Sequence, residues 1–228
     1  MSGTSLKRVI LAAVLIAGGL VLAPVSRAPA DADPANCPPA CDRVPATAWI
    51  DPSVIPLDSV YRWPGPAGIA VTAPAPRFRF EELCATPWDP QEDPRDYSVA
   101  GQALVGQPPG HWQLQVQVMH WRGETWLGGQ LADTVFRSAI AALRDCQLTA
   151  PSQSPSITVD EPNRMAAVVS GPVILHQYLV AHPSSSTISA LALWSTSPPQ
   201  EPWPVIADAA VLDAMTAPLC VAYISSCQ

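Results

Sequence analysis

The sequence predicts an α+β fold: an antiparallel sheet with two packed helices, disulfide-braced and preceded by a proline-rich extended arm. Three observations lead there. The stretch HWQLQVQVMHW, His111 to Trp121, alternates apolar and polar side chains. Gln130 to Cys146 repeats apolar residues at spacings of three and four, and all six cysteines lie beyond an apolar leader. A two-residue period marks a strand with one buried face, a period between three and four marks an amphipathic helix, and an even cysteine count in an exported chain reads as a disulfide framework.

The leader comes first in the chain. Lys7 and Arg8 precede an apolar run from Val9 to Ala23, and the segment APADA follows, with Ala30 and Ala32 at the positions a signal peptidase reads. This is the pattern of a secretory signal peptide, residues 1–32. The apolar run is shorter than the roughly 20 residues that span a bilayer, so cleavage is expected, with an uncleaved anchor as the alternative. Cys37 follows PAN rather than a lipidation box, which argues against a lipid anchor. Removing 32 of the 228 residues leaves 196, a length that suits one domain with its own core. It also removes Lys7, the one lysine of the chain, and moves the net charge from −7 to −9. An acidic surface repels phosphate, which argues against nucleic acid and anionic membranes as partners. The six cysteines, Cys37, Cys41, Cys84, Cys146, Cys220 and Cys227, give three expected disulfides with the pairing open. Cys220 and Cys227 can pair with each other only if the chain turns between them, since seven residues of helix span roughly 10 Å.

Residues 33–76 contain ten prolines, which excludes regular helix over most of the span. Trp49, Ile50, Ile55, Leu57 and Trp63 are too apolar for a free linker, so this reads as an extended arm partly packed on the domain at 77–228. RFRFEELC, 77–84, begins a short helix or strand, and ATPWDPQEDPRDY is a loop. Strands are expected at Tyr97–Val105, along Trp112–Val118, and at Ser156–Val159, Met165–Val169, Val173–Ala181 and Thr187–Trp194, with HPSSS as a hairpin connection between the last two. In the third-to-fourth-residue pattern of Gln130–Cys146, Leu131, Val135, Phe136, Ala139, Ile140 and Leu143 form the apolar face, and Gly128-Gly129 is read as a tight turn before it. A second helix is expected at Ile206–Ala217, ended or kinked by Pro218.

Chemistry is harder to read than architecture. There is no G-x-S-x-G elbow, no H-E-x-x-H and no phosphate-binding glycine loop, so no catalytic residue, metal ligand or cofactor is assigned. His176 and His182 share a strand face but lie roughly 20 Å apart, too far to hold one ion. The acids Asp89, Glu92, Asp93 and Asp96 lack calcium-loop spacing and read as a solvated loop. Eight tryptophans offer flat apolar platforms, of which Trp88 and Trp203, in proline-rich loops, are expected to be exposed. His120 interrupts the apolar face of its strand. Together with Trp121 and Trp126 it is the candidate lining of an aromatic-rimmed groove.

The segments WQLQVQVMHW and FRSAIAALRDC, with the export signal and proline-rich arm before them, resemble the extracellular sensor domains of mycobacterial receptor-type serine/threonine kinases and related secreted or lipid-anchored sensor-like proteins. That resemblance spans roughly 112–146 and implies an antiparallel sheet with helices, a Cys84–Cys146 disulfide, and a cleft framed by disulfides that receives an unidentified ligand. The chain departs from the pattern in its terminal cysteines, in Cys37 and Cys41, and in having no kinase domain. The functional expectation is a secreted or cell-envelope, non-catalytic binding protein, peripherally associated with the envelope, for an unknown small or envelope-derived ligand. A secreted hydrolase with scattered site residues and a structural partner of another envelope protein are the alternatives.

Overall fold

Alternating and β-branched segments pair here into one seven-stranded antiparallel sheet. The computed structural model describes residues 43–89, 92–223 and 225–227. The expected signal peptide, the start of the arm, Cys37 and Cys41 lie outside the described residues. The strands are β1 (Val71–Thr72), β2 (Ser98–Val105), β3 (Gln113–Trp121), β4 (Ser154–Glu161), β5 (Arg164–Ser170), β6 (Val173–His182) and β7 (Thr187–Thr196). Their order across the sheet is β1-β2-β3-β7-β6-β5-β4, so the chain leaves β3, crosses to the far edge and returns as a meander that ends beside β3. The helices are α1 (Asp58–Tyr61), α2 (Pro66–Ile69), α3 (Arg79–Leu83), α4 (Thr125–Arg144), α5 (Cys146–Thr149) and α6 (Asp208–Ala222). None among the described residues is long and apolar enough to cross a membrane.

Both faces of the sheet are covered, which corrects the expectation of a half-buried strand at 112–120. Leu114, Val116 and Val118 of β3 pack with Tyr178, Leu191 and Leu193 against α6 and the segment around Trp49. Met119 and Trp121 point the other way, into a second core with Leu179, Ala190, Phe136 and Leu143 under α4. The glutamines of β3 lie on this second face; Gln113 is half-buried, and Gln115 and Gln117 are buried, Gln117 to 1% exposure. Burying an amide requires partners. Gln117 Nε2 donates to the Arg77 carbonyl at 2.9 Å and to Gln102 Oε1 at 3.0 Å.

The described part of the arm is not simply extended. Short helical turns occupy Ala46–Ala48, Pro52–Val54, α1 and α2, and in the second and fourth of these Pro52 and Pro66 stand at first-turn positions where the missing N–H is not needed. Trp49, Ile50, Ile55, Leu57 and Trp63 are buried, and Val71–Thr72 adds an edge strand to β2. In β4 the register shifts between Ile157 and Val159, so Ile157 faces the α4 side and Val159 the α6 side.

Two helix boundaries differ from the sequence reading. α4 starts at Thr125 rather than Gln130, with Gly128 and Gly129 inside it. A Cβ at Gly128 would meet Ser186 Oγ at 2.5 Å, and one at Gly129 would meet the Pro183 carbonyl oxygen at 2.7 Å. The glycines are there for close approach of the helix to the β6–β7 connection, not for a turn. α6 runs through Pro218 to Ala222, since burial of Leu219 and Ala222 outweighs the one backbone hydrogen bond a proline forfeits. Gly129→Ala is expected to destabilise the fold by about 1–3 kcal/mol in urea titration, because neither backbone can give way cheaply. Gly68→Ala, where nothing lies within 4 Å, should be neutral or slightly stabilising.

Candidate functional site

A polar concavity lies between the loop after α3 and the outer side of α4. Its volume is about 330 Å³, and its lining includes Glu81, Thr86, Trp88, Asp89, Glu92, Asp93 and Arg95, with Val135, Ser138 and Ala142 as the α4 wall. Pro90 and Gln91, within the same loop, lie outside the described residues.

Three anchors hold that loop. At its start, Cys84 is bonded to Cys146 with Cα atoms 4.8 Å apart, and both cysteines are fully buried. Thr149 Oγ1 donates to the Cys84 carbonyl at 2.5 Å, so the junction between α4 and α5 is tied to the end of α3 twice. At its far end Asp93 caps the 3-10 turn Pro94–Tyr97 through the Arg95 N–H at 2.9 Å. The Trp121 indole N–H donates to the Pro94 carbonyl at 2.8 Å. Between these ends lies a buried ion network. Arg95 presents Nη1 and Nη2 to the two oxygens of Glu81 at 2.7 and 3.1 Å, and Nη2 to Asp93 Oδ2 at 2.6 Å. Glu81 Oε2 also accepts the Phe78 N–H at 2.8 Å, closing the first turn of α3. Trp88 Nε1 reaches Asp93 Oδ2 at 3.2 Å, leaving the indole 43% exposed at the mouth.

The charges here are arranged rather than scattered. Burial works against both ions, but the carboxylates of Asp93 and Glu81 raise the Arg95 pKa despite it. Burial alone would raise Asp93, and the hydrogen bonds and charge from Arg95 outweigh that and hold its pKa below the ordinary value of 3.8. One guanidinium is thus shared by two carboxylates, and Asp89 and Glu92 add further negative charge at the rim. An acidic cleft with an exposed indole suits a ligand that carries positive charge beside an apolar or polyhydroxyl surface.

The residues singled out from sequence do not come together. His120 and Trp121 are consecutive on β3 and point to opposite faces. His120 is 3% exposed and stacks on Tyr223 at 4.6 Å between ring centroids. Its Nδ1 lies 3.0 Å from the Ser185 carbonyl and therefore carries the proton, leaving Nε2 without a partner in the described residues. Burial lowers the His120 pKa, with Arg122 adding to the effect against the Ser185 hydrogen bond. Trp121 is buried and serves the cleft from behind, through Pro94. Trp126 is 64% exposed in the first turn of α4, about 13 Å along the helix from Val135. Trp203 does not stand free in its loop. It stacks on His176 at 3.5 Å, and burial there pushes the His176 pKa down to about 4.

Sequence reasoning named Trp88 as exposed and missed Glu81 and Arg95. The acids around Trp88 read as a solvated loop, but one of them, Asp93, is largely buried and paired with Arg95. No family model, curated protein or solved structure matches this chain.

Replacing Arg95 by Met should leave two buried carboxylates uncompensated and destabilise the protein by about 3–5 kcal/mol in denaturant titration. The Asp93 contribution has a defined pH sense. Its folded pKa is depressed, so its stabilisation is complete above the ordinary carboxylate value and is lost as pH falls through the lowered one. Acid unfolding of the wild type should therefore steepen below about pH 4, and that component should be absent in Asp93→Asn.

Proposed function

We propose that the protein is an exported, envelope-facing, non-catalytic binding protein of the sensor-like kind, which takes a cationic, small or envelope-derived ligand in the Trp88 cleft. The observation that carries this reading is the cleft itself: an exposed indole and several carboxylates held over α4 by a disulfide, a buried ion network and the Trp121–Pro94 hydrogen bond. Pre-organised polar groups around a concave site are what ligand recognition requires. The Cys84–Cys146 disulfide supports an oxidising compartment, and it is the pairing that the resemblance to mycobacterial sensor domains implies. In this reading α4 is the wall of the cleft, and the proline-rich segment and α6 close the opposite face of the sheet that carries it.

A hydrolase finds less support. Ser185 Oγ lies 2.7 Å from His182 Nδ1, but the serine is 4% exposed and its hydroxyl donates to the His182 carbonyl at 3.1 Å within a single turn. A nucleophile must reach substrate. A contact with another envelope protein is favoured by one feature, an apolar groove of about 430 Å³ between Trp49, Val54, Pro218 and Val221.

The ligand reading is tested with small quaternary amines as probes. Titration of tetramethylammonium or choline into the exported protein should give saturable quenching of tryptophan fluorescence. Trp88→Ala should abolish the response and Trp126→Ala should leave it intact. A Trp88→Ala protein that is folded and responds like wild type, or a wild type with no saturable response to either amine, overturns the proposal.

A further inference from the structure

A second cluster of reactive side chains lies away from the cleft, where β6 ends and the chain returns after α6. Tyr223 is extended and Ser225 takes a left-handed conformation, φ 63°, so the tail folds back and Cys227 bonds to Cys220 with Cα atoms 5.3 Å apart. His182, the last residue of β6, faces this disulfide with Nε2 3.3 Å from Cys227 Sγ. The Ser185 hydroxyl gives its proton to the His182 carbonyl and must therefore accept the His182 Nδ1–H. That fixes the tautomer, and the Nε2 lone pair is the one aimed at sulfur. One imidazole nitrogen and two sulfurs all lie within 4.8 Å of one another.

We propose that reduction of the Cys220–Cys227 disulfide turns this corner into a site for one zinc-class ion, with Cys220, Cys227 and His182 as ligands. The reductant is a small thiol. Two reductant thiols join in a new disulfide, the Cys220–Cys227 bond breaks, and both sulfurs become thiols that lose their protons to solvent as the metal binds. Two thiolates and one imidazole form a donor set that prefers zinc or copper(I) over magnesium or calcium. Zinc needs sulfur at about 2.3 Å and nitrogen at about 2.0–2.1 Å, distances that three atoms in so small a space can meet with little movement. The hydrogen bond from His182 to Ser185 is the outer-shell contact that orients a ligating histidine. Cys227 is exposed and open to the reductant, whereas Cys84 and Cys146 are fully buried.

Cobalt(II), a spectroscopic stand-in for zinc, tests the site. The protein carries Cys37→Ser and Cys41→Ser, so that those thiols cannot compete. After anaerobic reduction it should bind one equivalent of cobalt with thiolate-to-metal charge transfer and tetrahedral ligand-field bands, and zinc should displace the cobalt. The oxidised protein should show neither. His182→Ala should weaken cobalt binding at least tenfold with the count of free thiols unchanged. Should that variant not fold, Cys227→Ser, in the exposed tail, should lose the charge-transfer band. Reduced protein with no cobalt band, binding as tight in folded His182→Ala as in its parent, or a Cys227→Ser protein that keeps the band would each overturn the proposal.

Discussion

The structure depends on a sheet that is apolar on both faces and so must be covered twice. Trp112, Leu114, Val116 and Val118 of β3 demand one cover, and Met119 and Trp121 demand another. Each such side chain contributes roughly 1.5–3 kcal/mol when fully removed from water, and none of that accrues to a face left open. α4 covers one side. α6 covers only part of the other, and Trp49, Ile50, Ile55, Leu57 and Trp63 from the proline-rich segment complete it. That segment belongs to the core although its composition looks like a linker. Its short turns are the conformations that proline permits while large side chains are placed against a flat surface.

The cleft is a consequence of the second cover. Where α4 lies over β3, the chain between α3 and β2 must pass beside the helix, and it is pinned at intervals rather than packed throughout. Cys84 ties it to Cys146, Arg95 ties it to Glu81, and Pro94 accepts from Trp121. Pinning at points leaves space between them. A loop held by burial alone would collapse onto Val135 and Ala142, and a loop held at one end would not keep Trp88 in place. The ion network is suited to this role because removing Arg95 would leave two carboxylates without their cation, so the geometry is strongly specified even where its net contribution to stability is small.

Periodicity and turn residues place β2 to β7 and the body of α4, because those elements bury side chains at the spacing their backbone dictates, whereas the exposed two-residue β1 carries no such pattern. Periodicity did not show which faces were covered. The Gln113–Gln115–Gln117 series looks solvent-facing in one dimension, yet Gln117 is paired with Arg77 and Gln102, which lie 40 and 15 residues away. Gly128-Gly129 looks like a chain break and is a helix surface made thin enough to meet Pro183. Pro218 looks like a stop and is carried by the packing on either side of it. For the site the same gap is wider. Adjacent positions on a strand cannot share a groove, which alone separates His120 from Trp121. The pairing of Arg95 with Glu81 joins residues 14 apart through a fold that no local pattern encodes.

The connection between β6 and β7 shows how one close approach constrains two chemistries. Because Gly128 and Gly129 let α4 come down on Pro183 and Ser186, the turn at 183–186 has little room to vary. Ser186 Oγ donates to the Thr125 carbonyl at 3.1 Å, and Ser185 offers its carbonyl to His120 and its hydroxyl to His182. The orientation of His120 against Tyr223 and that of His182 against Cys227 are therefore set by the same short turn. A histidine near the end of an apolar strand face is held in one tautomer when its acceptor is rigid. Here the acceptor is a backbone carbonyl in the turn beneath α4, which satisfies Nδ1, while stacking on Tyr223 covers the ring.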